Sequence, residues 1–139
     1  SELIGDIVKT VEKNGVELTI KDNKTIQTSG RQIQLKRAFN NIIDNSQRYA
    51  KKIEIILYTN EKDCVIEFND DGEGIPRDKY EDVFKPFFTL DPSRNKLKGE
   101  SGLGLTITRD IIRSHGGDVK LSESNLGGLQ LKVLLPLWF

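Results

Sequence analysis

Between Arg31 and about Lys51 the apolar residues Leu35, Ala38, Phe39, Ile42 and Ile43 recur at i, i+3, i+4 and i+7, the spacing of one buried face on an α-helix. This helix leads straight into two segments of period two, Ile53 to Thr59 and Cys64 to Asp70, joined by a polar turn. A helix face therefore has a hairpin to lie on. Before it, Leu3, Ile4, Ile7, Val8 and Val11 predict a short amphipathic helix that stops at Asn14-Gly15. Val16, Leu18 and Ile20 then predict a strand, and Thr25 to Thr28 a weaker one after the turn at Asp22-Asn23, together a second hairpin. Near the end a helix from about Leu103 to Ser114, closed by Gly116-Gly117, precedes strands at Val119 to Leu121 and Leu129 to Leu135. The order predicts an α+β fold: a two-layer α/β sandwich with a mixed, mostly antiparallel sheet and helices on one face.

With 139 residues the chain has room for a single domain spanning 1–139 with one core. Its 21 basic and 21 acidic residues balance, which argues against a nucleic-acid partner. The single cysteine, Cys64, rules out a disulfide framework within the chain and fits a reducing, cytoplasmic setting. No apolar run approaches the roughly 20 residues that span a bilayer. The chain starts at serine and contains no methionine, as expected of a fragment of a longer protein.

Three places have the composition for chemistry. On the long helix, Asn41, Asn45 and Arg48 stand at i, i+4 and i+7, within roughly 60° of one another, in a polar stripe bordering the apolar face. An asparagine carbonyl suits Mg²⁺, and an arginine fork suits a phosphate. A solvated flank explains the same spacing equally well. In the strand Cys64 to Asp70, alternation puts Asp70 on the face of Cys64, Ile66 and Phe68. A carboxylate closing an apolar row needs a donor, such as an adenine amine, or else serves as a turn carboxylate for Gly72 or Gly74. Third, the glycines of Gly99 to Leu105 open a helix, where free backbone N–H groups accept phosphate. The aperiodic stretch before it, from about 85 to 102, carries Lys85, Arg94, Lys96 and Lys98 and is expected to be a mobile lid, with Phe84, Phe87 and Phe88 pinning one end, unless it is an ordinary loop. No GxxxxGK[ST] loop, full GxGxxG pattern, or HRD or DFG signature occurs. His115, at a helix end before two glycines, reads as a terminal or capping residue.

In this fixed order the segments resemble the GHKL superfamily of ATP-binding domains. NNIIDNSQRYA is similar to the N box, DDGEGIP to the first glycine box, VFKPFF to the F box and GESGLGLTI to the second glycine box of sensor histidine kinases. The phrases FKPFFTLDPSRN and TRDIIRSHGGDVKLSESNLGG further resemble osmosensor-type kinases of bacteria. The resemblance implies the Bergerat fold, a mixed sheet under three helices. It also implies Asn45 as the Mg²⁺ ligand, with Asn41 and Arg48 assisting at metal and phosphates, and Tyr49 against adenine or ribose. Asp70 would accept from the adenine amine. Gly72 and Gly74 would give the backbone room beside the base, and Ile75, Leu103 and Leu105 would line the pocket. Gly102 and Gly104 would let the helix start meet phosphates that Arg94 and Lys98 close over. Arg48 stands where the family often has lysine, and Glu100 where glycine is common.

The implied activity is transfer of the γ-phosphoryl of ATP to a histidine on a dimerisation hairpin, then to an aspartate of a response regulator receiver domain. The parent would be a membrane-anchored homodimer with this portion in the cytoplasm. No segment here matches the phosphoacceptor histidine, so the chain is not expected to phosphorylate itself. The alternatives are a GHKL-type ATPase, whose members commonly carry a glutamate base where Asn41 stands, and a non-catalytic nucleotide-binding regulator.

Overall fold

The computed structural model describes residues 17–20, 32–86 and 104–136. Its elements are β1 (Glu17–Ile20), α1 (Gln32–Tyr49), β2 (Ile53–Thr59), β3 (Asp63–Asp70), two 3₁₀ turns (Arg77–Lys79 and Asp82–Phe84), α2 (Gly104–Ser114), β4 (Asp118–Glu123) and β5 (Leu129–Pro136). The five strands form one sheet in the order β1-β2-β3-β5-β4. β1 runs parallel to β2, and every other neighbouring pair is antiparallel. The expected opening helix and the strand at Thr25 to Thr28 lie outside the described residues.

The periodicities translate directly into burial. Leu35, Ala38, Phe39, Ile42 and Ile43 of α1 are buried, and so are Ile53, Ile55 and Leu57 of β2. Cys64, Ile66 and Phe68 of β3 and Leu129, Leu131, Val133 and Leu135 of β5 complete the face beneath the helices. The Phe39 and Phe68 rings stack with centroids 6.2 Å apart, joining α1 to the middle of the sheet. On the opposite face Tyr58 donates to Glu67 at 2.6 Å, and Gln130 donates to both Glu67 and Asn69. Burial together with the neighbouring Glu67 carboxylate pushes the Tyr58 hydroxyl up to about 12.

α2 ends in a Schellman motif. Gly116 adopts φ +81°, its N–H donates to Arg113, and that of Gly117 donates to Ile112. A Cβ on Gly117 would lie 2.0 Å from the carbonyl oxygen of Leu134, so helix and β5 meet here only because a side chain is missing. His115 Nδ1 is 2.7 Å from the carbonyl oxygen of Ile111. The ring sits on a helix-end carbonyl, as its position in the sequence predicts.

Candidate functional site

The end of β3 is where the expected residues gather. Asp70 closes the buried row of Cys64, Ile66 and Phe68, with only 6% of its surface exposed. Its Oδ1 accepts the N–H of Gly72 at 3.0 Å and the N–H of Leu129 at 3.0 Å. Among the described residues nothing donates to Oδ2. The carboxylate is thus both a turn acceptor and, through its second oxygen, an acceptor left for something else. Burial pushes the Asp70 carboxyl above its ordinary value, against the two backbone donors, which pull it down.

Glycines make this arrangement possible. Gly128 donates its N–H to the carbonyl oxygen of Asp70. A Cβ on Gly128 would meet Asp70 Oδ1 at 2.2 Å and the Gly72 nitrogen at 2.6 Å. Gly74 has φ +73°, and its own Cβ position faces the backbone of Gly128. Neither Gly128 nor the Leu129 N–H stands out in the sequence. The one available signal was the Gly127-Gly128 pair just ahead of an alternating strand.

The end of α1 is tied to the turn that follows Asp70. Asp71 Oδ1 accepts the N–H groups of Lys51 and Lys52, both at 2.9 Å, immediately after α1. These bonds hold the Asp71 carboxyl below its usual range, the Lys52 donor most of all. The C-terminal half of α1, with half-buried Asn41 and Asn45, therefore runs toward the end of β3 that carries Asp70. α2 packs beside α1. Its C-terminus is fixed beside Leu134, near the far end of β5. Its eleven residues span about 16 Å. Among the described residues nothing lies within 4 Å of a Cβ built on Gly104, and the first turn of α2 has no acidic residue to offset the positive helix end.

Gly72, Ile75 and Leu105 are half-buried, and Leu105 packs on the core. Arg48 and Tyr49 lie on α1, but their side chains, like Arg94, Lys98, Gly102 and Leu103, fall outside the described residues. Of the phenylalanines expected to pin one end of the stretch from about 85 to 102, Phe84 is buried in the core, while Phe87 and Phe88 also fall outside. The second 3₁₀ turn is gripped by α2: Thr106 Oγ1 donates to the Phe84 carbonyl at 2.7 Å, and the Arg109 guanidinium lies 4.3 Å from the Phe84 ring centre. Sequence reading did not find this contact.

An α/β sandwich with a buried strand-end carboxylate, half-buried amides on a long helix and a glycine at a helix start has the parts of a nucleotide site. The chain belongs to the family described as histidine kinase-, DNA gyrase B- and HSP90-like ATPases, which matches residues 30–138. It is 34% identical over 140 residues to the sensor histidine kinase CpxA of Escherichia coli (strain K12), covering 99% of this chain and 31% of that protein. To the sensor protein VanS of Enterococcus faecium it is 34% identical over 138 residues, covering 97% of this chain and 35% of that one. The chain thus spans about a third of the length of these curated relatives. In fold it resembles the mycobacterial sensor histidine kinase MprB, with a TM-score of 0.82 at 24% identity over 97% of this chain and 94% of that one. It also resembles the ATP-binding domain of PrrB from Mycobacterium tuberculosis, with a TM-score of 0.78 at 21% identity over 97% and 93%. The osmosensor subtype remains a resemblance of phrases alone.

Proposed function

We propose that this chain is the ATP-binding catalytic part of a sensor histidine kinase, acting as one unit of a longer protein. The observation that carries the reading is Asp70, buried at the end of β3 with one oxygen held by two backbone donors and no donor to the other among the described residues. An adenine amine is a donor of the right kind for Oδ2, and the close packing of Gly128 on Asp70 and Gly72 fixes the carboxylate that would receive it. The half-buried amides of Asn41 and Asn45 are hard oxygen donors that fit Mg²⁺, with Asn45 as the ligand and Asn41 and Arg48 beside it. Magnesium bound there would neutralise phosphate charge. The backbone N–H groups at the start of α2, where Gly104 stands, suit the phosphate end. In the same reading Tyr49, Ile75, Leu103 and Leu105 flank the base or ribose, and Gly102, Arg94 and Lys98 serve the phosphates.

The chain's part in the reaction is to orient ATP and exclude water. The histidine nitrogen of a dimerisation hairpin forms the N–P bond as the bond from the γ-phosphorus to the bridging oxygen breaks, ADP departing with the electron pair. Hydrolysis is the less favoured reading. Position 41 is an amide, and the nearby carboxylate on α1, Asp44, is exposed, so a base for water is lacking among the described residues of α1. The partners proposed are that hairpin and a response regulator receiver domain, in a membrane-anchored parent with this portion in the cytoplasm; no described helix is long and apolar enough to cross a membrane.

The test is to mix the chain with a dimeric histidine-bearing hairpin from its own parent protein and ATP labelled at the γ-phosphorus. Acid-labile label should appear on the hairpin, only with magnesium, and none on this chain alone. Release of labelled inorganic phosphate without transfer would favour the ATPase reading, and label on His115 would overturn the division of roles.

A further inference from the structure

A salt bridge to an exposed carboxylate is ordinarily worth little, because water screens it and two long side chains must be ordered. Arg109 departs from that pattern. Its side chain is only 14% exposed, although that of its partner Glu81 is 78% exposed. The guanidinium reaches Glu81 with a fork, Nη1 to Oε2 at 3.0 Å and Nη2 to Oε1 at 3.3 Å, while its plane lies over Phe84. Nε is buried without a hydrogen bond among the described residues and lies 3.9 Å from Asp118 Oδ1. A buried, forked and stacked guanidinium fixes orientation in a way a flexible ammonium cannot.

The geometry points to Arg109 as a positioning residue for the phosphate end of the nucleotide site, a role that rests on the ATP reading above. Thr106 and Arg109 stand three apart on one side of α2, two and five residues from its first residue, Gly104. Together they fasten the first half of α2 to the 3₁₀ turn of Asp82–Phe84. The base end is built independently, from Asp70, Gly72, Gly128 and Leu129. Releasing the grip should therefore weaken contacts to phosphates and spare contacts to the base.

Calorimetric titration of the whole chain with Mg·ATP and, separately, with adenosine reads this difference, and their ratio is insensitive to a general loss of stability as long as the chain is folded. Arg109→Gln should weaken ATP binding about tenfold and adenosine binding by less than about twofold. Arg109→Lys should restore only part of the loss, because it keeps the charge and not the fork. Glu81→Gln, a change at an exposed position that does not threaten folding, should cost ATP alone about threefold. Equal losses for ATP and adenosine, or no loss in the Arg109→Gln and Glu81→Gln variants, would overturn the positioning role while leaving the ATP site standing. An unaltered chain that binds neither compound would overturn the nucleotide reading, and this role with it.

Discussion

Replacing Asp70 by asparagine is expected to lower ATP affinity about a hundredfold while leaving the melting temperature within about 3 °C of the parent, and no lower. The asparagine oxygen can still accept from Gly72 and Leu129, so the turn and the start of β5 keep their bonds. The amide nitrogen then replaces Oδ2 and presents a donor to the adenine amine, another donor. Calorimetry of the variant against ATP checks the first half and a thermal scan the second; an unchanged affinity removes Asp70 from the site. pH separates the two roles of the carboxyl. Because burial raises its folded value above 3.8, its effect on stability is most favourable below the ordinary value and is lost as pH rises through the raised one. Nucleotide affinity runs the other way. It needs the ionised acceptor and should fall as pH drops through the same raised value, a dependence that Asp70→Asn should abolish.

Gly128→Ala should be the most damaging single methyl group near the site, costing about 3 kcal/mol of stability and most of the ATP affinity. Its Cβ would need space held by Asp70 Oδ1 at 2.2 Å, the Asp70 carbonyl oxygen at 2.6 Å and the Gly72 nitrogen at 2.6 Å. These are backbone atoms and a carboxylate tied by two hydrogen bonds, so none yields without breaking the turn. Gly127 supplies the control. It has φ +101° but open space around it, so Gly127→Ala should cost only about 1 kcal/mol of backbone strain. Denaturant titrations of the two variants should separate clearly, and a Gly128→Ala protein as stable as Gly127→Ala would show that the close approach is not required.

The two glycines also mark where sequence reading stops. α1 and the β2–β3 hairpin were legible because local periods of 3.6 and 2 specify which side chains face inward, and that alternation alone puts Asp70 on the buried face. Asn41 and Asn45 could be placed beside the core by the same arithmetic. The parallel pairing of β1 with β2 has no local period to announce it, since it joins segments far apart in the chain. The Leu129 N–H reaches Asp70 across 59 residues, and Arg109 reaches Glu81 across 28. Such contacts depend on how layers close. The Asp71 carboxylate was legible only as part of a glycine-rich turn, whereas folding makes it the tie between that turn and the end of α1.

All of this depends on a carboxylate oxygen, left over after two backbone bonds, choosing the base that occupies the site. Adenine presents an amine where guanine presents a carbonyl oxygen, so the most direct measurement is calorimetric titration of the chain with Mg·ATP and with Mg·GTP under the same conditions. One ATP per chain should bind, with GTP at least about thirtyfold weaker because its oxygen would face Asp70 Oδ2. Equal affinity for the two nucleotides, or binding of neither, would contradict the account.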